Sequence, residues 1–178
     1  MTSSSTRQAR VCLLGGGRMG QLRAPILYAN PRLALACVAD VSAEAGTVLA
    51  AKYPGTEFRD ATDLEAALRG ARCDALWVST PTFTHGGAVR AAVAAGVKFV
   101  FMEKPVDEGP EGVKALFALC RAEGVQLCCG FQRRFDPSYR AVQEAVKGGR
   151  VGKPEMVRVM FADHPAPPMD FLLKGGAR

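Results

Sequence analysis

Gly15, Gly17 and Gly20 stand in G-x-G-x-x-G spacing directly after the apolar run Val11-Cys12-Leu13-Leu14, and Asp40 follows Gly20 by twenty residues. These residue types at this spacing suit the binding of a dinucleotide. Gly15 lets the chain turn sharply out of a strand. Gly17 has no Cβ, so backbone can approach a pyrophosphate. Gly20 lets the next helix pack close to the strand. Arg18 and Met19 open that helix, whose N-terminus offers free N–H groups and a positive dipole end to phosphate oxygens. Asp40 is placed to accept hydrogen bonds from an adenosine ribose diol. An acid there favours NAD, because it would repel a 2′-phosphate, and the neighbouring Val41 gives such a phosphate no charge. NADP stays open, since one acid does not decide between the two. A lone glycine pattern would say little, but here a strand precedes it, a helix follows it and the acid lies at the expected distance.

Those residues need a scaffold, and strand and helix signals alternate along the chain. Val11–Leu14, Leu33–Ala39, Thr56–Arg59, Asp74–Ser79, Lys98–Met102 and Val125–Gly130 read as strands. Helices are expected over Met19–Tyr28, from Ser42 to about Tyr53, from Thr62 to Gly70, over Thr84–Ala95 and over Gly112–Glu123. The apolar runs lack strict alternation, as strands covered on both faces do. The predicted fold is therefore α/β, a doubly wound parallel sheet of the Rossmann type over residues 10–130, preceded by a flexible tail at 1–9. In such a sheet the tips after strands one, four and five share one edge. Gly15–Gly20, Thr80–His85 and Glu103–Pro105 should therefore converge.

After Gly130 the pattern changes. Asp136 and Pro137 open another helix, Gly148-Gly149 closes it, and Met156–Ala162 alternates as a strand would. A proline-rich loop carrying His164 follows. Residues 131–178 read as a further helix, strand and loop beyond the sheet. The strand at Met156–Ala162 would lack partners, so association through an unpaired edge, or a homo-oligomer, is expected.

Composition narrows the class. The chain has 178 residues, 48% of them hydrophobic, and a net charge of +6 spread along its length. No run reaches the roughly 18 apolar residues that span a bilayer. Arg133 and Arg134 alternate with Phe131 and Phe135, but two arginines are too small a footprint for nucleic acid. The expectation is no membrane and no nucleic-acid partner. None of the six cysteines shows a CxxC zinc spacing. Buried reduced thiols, a cytoplasmic setting and no metal site are the readings that follow.

The chain resembles the Gfo/Idh/MocA oxidoreductases. The resemblance rests on the GGGRMG turn, Ser79-Thr80-Pro81-Thr82 with His85, and Val100-Phe101-Met102-Glu103-Lys104-Pro105-Val106. It extends through Gly130-Phe131-Gln132-Arg133-Arg134-Phe135-Asp136 and Gly149-Arg150-Val151-Gly152-Lys153-Pro154. The Phe-x-Arg-Arg-Phe-Asp stretch looks most like the inositol dehydrogenases. The resemblance implies hydride transfer between a nicotinamide and a hydroxyl of a polyol or sugar. It makes Lys104 the catalytic and substrate-facing candidate, an amine able to orient or relay a proton beside the ring. Pro105 would fix its loop through a cis peptide. Thr80 and Pro81 would line the nicotinamide side. Glu103 either bonds a cofactor ribose or caps the following turn, and His85 either contacts cofactor or caps a helix. Arg133 is a substrate-site candidate.

Members of that family are about twice this long and carry a second domain. The resemblance thus implies that residues 131–178 are the truncated start of that second, α+β domain. A later Asp-x-x-x-His-Asp stretch provides the family's catalytic aspartate and histidine. Nothing here matches it. A missing proton acceptor removes a contribution of roughly 10²–10⁴-fold. Three readings follow. One is a dehydrogenase represented by its N-terminal part, with little turnover of its own. Another is an NAD-binding module that associates with a full-length relative. The last, an interaction protein that lost its cofactor, sits poorly with the intact glycine turn and Asp40.

Overall fold

The computed structural model describes residues 7–160 and Met169. The chain divides into two compact units, with the boundary between Gly130 and Phe131. In the first unit β1 (Ala9–Leu14), α1 (Arg18–Ala29), β2 (Leu33–Asp40), α2 (Ala43–Ala50) and β3 (Glu57–Asp60) form one half. The other half comprises α3 (Leu64–Gly70), β4 (Ala75–Val78), α4 (His85–Ala94), β5 (Phe99–Met102), α5 (Pro110–Ala122) and β6 (Gln126–Cys129). Every pairing is parallel, and the strand order is β3-β2-β1-β4-β5-β6. That is the expected doubly wound sheet, with its order reversing between β1 and β4.

The side-chain alternation of β1 shows how the two faces are covered. Val11 and Leu13 pack with Ala24 and Leu27 of α1 and Leu49 and Ala50 of α2. Cys12 and Leu14 point the other way, into a cluster with Leu68 of α3, Val89 and Ala92 of α4 and Leu116 of α5. Both faces are buried, which is why the strands read as continuous apolar runs.

Local chemistry moves some helix ends. Ser42 caps α2 by accepting from the N–H of Ala45 at 3.2 Å. The helix stops at Ala50, short of Tyr53, because Lys52 and Tyr53 donate to Leu49 and Ala50 three residues back, tightening the last turn. The helix expected from Thr62 begins at Leu64. The Asp60 carboxylate accepts from the Thr62 N–H and Asp63 accepts from the Ala66 N–H, so two caps in series hold a 3₁₀ turn between them.

In the second unit a 3₁₀ turn over Gln132–Phe135 precedes α6 (Pro137–Lys147). Asp136 caps α6, accepting from Ser138 and Tyr139 at 2.8 and 3.3 Å, with Pro137 in the first turn. The strand predicted at Met156–Ala162 is corrected here. Residues 156–160 form no strand, and Met156 and Met160 are 87% and 77% exposed. Alternation supplies two faces, but a strand exists only when its N–H and C=O groups meet a partner, and none pairs here among the described residues. The remaining two positions of that prediction, and His164, lie outside the described residues.

Candidate functional site

The nucleotide edge is built by hydrogen bonds that carry the sheet past its strand ends. Gly15 donates to Ala39 at 2.8 Å, Ser79 to Leu14 at 2.8 Å and Glu103 to Val78 at 3.0 Å. These bonds bring the tips after β1, β2, β4 and β5 together. Gly15 turns at φ +98, and a Cβ there would lie 3.0 Å from both Ser79 O and Thr80 Cγ2. Thr80 thus packs against the glycine turn.

The other two glycines behave differently. A Cβ on Gly20 would lie 1.9 Å from Gly15 O, so this glycine is what lets α1 reach the turn. A Cβ on Gly17 would meet nothing within 4 Å. Gly17 is exposed at the N-cap of α1 and makes no side-chain cap, with Arg18 and Met19 next to it. The N-terminus of this twelve-residue helix, without a side-chain cap, leaves N–H groups that could hold a pyrophosphate.

Asp40 sits at the end of β2, partly buried. Its Oδ2 accepts from the N–H of Gly16 at 2.6 Å and its Oδ1 from the N–H of Ser42 at 2.7 Å. The carboxylate therefore fastens the glycine turn to the start of α2. Each oxygen keeps a second lone pair, enough to accept from a diol.

Lys104 is exposed and makes no hydrogen bond or ion pair among the described residues, whereas its neighbours on both sides are held. Arg23 of α1 donates through Nε to Glu103 Oε1 at 2.6 Å. The His85 ring nitrogens lie 2.8 Å from the carbonyl oxygen of Pro105 and 2.9 Å from that of Thr80. The Lys104–Pro105 peptide is cis. His85, expected to cap a helix or touch cofactor, has both ring nitrogens against the Pro105 and Thr80 carbonyl oxygens. It heads α4, is 1% exposed, and joins the β4 tip to the β5 tip. Glu103, expected to bond a ribose or cap a turn, pairs with α1 through Oε1. Thr80 Oγ1 bonds Thr84 Oγ1 at 2.6 Å, and Pro81 is exposed at the start of a 3₁₀ turn.

Sequence reasoning passed over Arg23 and Gly16. Arg23 lies three residues past Gly20 on the same helix face, a signal that was available. The role of Gly16 is carried by its N–H, which no residue type announces. In the second unit Arg133 donates to Tyr139 Oη at 3.1 Å and lies over that ring.

A parallel sheet in this order, with a glycine turn at its switch point and an acid ending β2, defines a Rossmann dinucleotide-binding domain. The profile of the Gfo/Idh/MocA family, described as an oxidoreductase family with an NAD-binding Rossmann fold, matches residues 9–131. The chain belongs to this family. It is 38% identical over 167 residues to inositol 2-dehydrogenase of Rhizobium meliloti (strain 1021), covering 94% of this chain and 49% of that protein. Among solved structures it is similar to GenD2 from gentamicin A biosynthesis in complex with NAD, with TM-score 0.74 and 29% identity. That match covers 84% of this chain and 42% of that one. It is also similar to scyllo-inositol dehydrogenase from Lactobacillus casei with bound NAD(H) and scyllo-inositol, with TM-score 0.72 and 25% identity. There the match covers 82% of this chain and 43% of the other. The chain spans about half the length of the curated relatives it matches. Among the described residues, no helix is long and apolar enough to cross a membrane.

Proposed function

We propose that this chain binds NAD across the β1–β4 switch point and serves oxidation of a hydroxyl on an inositol-type polyol, or the reverse reduction. The carrying observation is the framing of Lys104: the residue before it is paired to the nucleotide-loop helix, and the carbonyl after it is bonded by His85. The exposed amine thus sits on a loop fixed to the coenzyme scaffold. Hydride transfer is the chemistry that bound nicotinamide supplies. In this reading the backbone at Gly15, Gly17, Arg18, Met19 and Gly20 holds the diphosphate, and Asp40 accepts from the ribose. Thr80 and Pro81 border the ring. Lys104 orients the reacting hydroxyl and relays its proton. Arg133 is proposed to contact substrate.

A second reading, an NAD-binding module with little turnover of its own, is favoured by one observation. Lys104 has no carboxylate or imidazole hydrogen-bonded to it among the described residues. Calorimetry with NAD tests both readings, since binding is required by each. Formation of NADH with myo-inositol or scyllo-inositol then separates them. A Lys104→Ala change should lower turnover at least tenfold while leaving NAD affinity within about twofold. No heat with NAD or NADH would remove both readings.

A further inference from the structure

The opposite edge of the sheet, where the strands begin, holds a cavity of about 450 Å³. Its lining includes four arginines, Arg7, Arg10, Arg59 and Arg72, and a single acid, Glu57. The arginines come from ahead of β1, from β1, from β3 and from the turn after α3. Capping the end of α3 explains only one of them. Arg10 donates through Nε and Nη2 to the Ala71 carbonyl oxygen at 3.0 and 2.8 Å. The carbonyls of Ala67, Leu68 and Arg69 already accept from the N–H groups of Ala71, Cys73 and Arg72. Arg7 is paired with Asp74 at 2.7 Å.

Arg59 and Arg72 keep unused donors. Arg59 pairs with Glu57 through Nη2, yet its Nε is buried and has no hydrogen-bond partner. A buried N–H without an acceptor is uncommon and calls for an explanation. On its other side Arg59 borders Asp60 and Asp63, whose carboxylates are engaged with the Thr62 and Ala66 N–H groups. The exposed Arg72 guanidinium makes no hydrogen bond or ion pair among the described residues. Gly70, the last residue of α3, keeps the space between them open. A Cβ on Gly70 would lie 4.0 Å from Arg59 Nη1 and meet nothing closer. In the cavity four cations stand against Glu57 and the Asp74 that pairs with Arg7, an excess of two positive charges.

We propose that this cavity binds a phosphate monoester of about the size of a sugar phosphate. Its dianionic group matches the charge excess. A carboxylate is planar and one guanidinium fork satisfies it, whereas a phosphate monoester presents three oxygens in three directions. Guanidiniums arriving from β3 and from the turn after α3 can take different oxygens. The ester supplies the acceptor that the Arg59 guanidinium lacks, and Arg72 closes on it from the rim. Arg7 and Arg10 add charge from the β1 side. The gap at Gly70 admits the rest of the molecule, and the volume falls within the roughly 300–1,000 Å³ of small-molecule sites. Nothing in this inference depends on the coenzyme reading, because this cavity lies where the strands begin and the glycine turn where β1 ends.

The test titrates the full chain with glucose 6-phosphate by calorimetry, beside glucose, succinate and dimethyl phosphate at matched ionic strength. Glucose should give no heat, and the two other anions should bind about tenfold more weakly than the monoester. With a ¹⁵N-labelled chain, the Nε–H resonances of Arg59 and Arg72 should shift together while the amides of Gly15–Gly20 stay in place. An Arg59→Gln chain should lose about tenfold in affinity and an Arg72→Gln chain about threefold. A Gly70→Leu chain keeps every charge and makes no close contact, so its thermal midpoint should hold while the probe is shut out. No binding, equal affinity for succinate, shifts confined to Gly15–Gly20, or undiminished binding to the Gly70→Leu chain would each overturn the proposal.

Discussion

Arg23 Nε lies 2.6 Å from Glu103 Oε1, so the helix that follows the glycine turn grips the residue that precedes Lys104. Only 25% of the arginine side chain and 12% of the glutamate side chain is exposed. Losing one partner would leave a largely buried charge alone. An Arg23→Gln chain should therefore lose about 2 kcal/mol of stability, read as a lower urea midpoint at unchanged m. If the midpoint does not move, the pair is not holding the loop.

Gly17 and Gly20 should separate binding from folding. Gly20→Ala drives a Cβ to within 1.9 Å of the Gly15 carbonyl oxygen and should cost about 2–3 kcal/mol. Gly17→Ala meets open space, at φ −70, and should leave stability within about 0.5 kcal/mol. Its methyl group would occupy the proposed diphosphate cradle, so NAD affinity should fall about tenfold or more, a change of about 1.4 kcal/mol per decade. Calorimetry beside a denaturation curve on each variant checks the split. Unchanged affinity in Gly17→Ala would move the coenzyme elsewhere.

Asp40 carries two loads, one structural and one proposed. Its two oxygens accept from Gly16 and Ser42, and the diol would use its remaining lone pairs. Asp40→Asn removes the charge and one acceptor. NAD should bind about tenfold more weakly, with the loss for NADP smaller. Titration with both coenzymes decides; a parallel loss for the two would undo the ribose assignment.

Asp74 anchors the opposite edge and should make the fold acid-sensitive. Burial opposes its charge, but the Arg10 N–H at 2.8 Å and the Arg7 guanidinium outweigh it, holding its carboxyl below the usual range. A folded pKa depressed below the unfolded one stabilises the protein above the unfolded value. That stability is lost as pH falls through the folded value. Thermal midpoints followed downward from pH 6 should drop below the ordinary carboxylate range, and an Asp74→Asn chain should show a shallower drop. Identical slopes would show that other acids dominate.

The periodicity of apolar residues by itself determined six strands, their helices and the doubly wound class, because buried parallel strands leave uninterrupted apolar runs. The glycine spacing and Asp40 likewise marked the nucleotide edge, since only certain residues fit such a turn. The sequence pattern misread residues 156–160, because a strand depends on a partner's hydrogen bonds and not on its own alternation. It also left the partners of His85 and Glu103 open. Each lies far along the chain, with His85 reaching Pro105 and Glu103 reaching Arg23, and no local pattern encodes which distant atom arrives. The meeting of Cys12, Cys37 and Cys73 in the core is of the same kind. Separately they read as small apolar residues in three runs, and only the register of β1 with β2 and the entry into β4 turns them into one cluster.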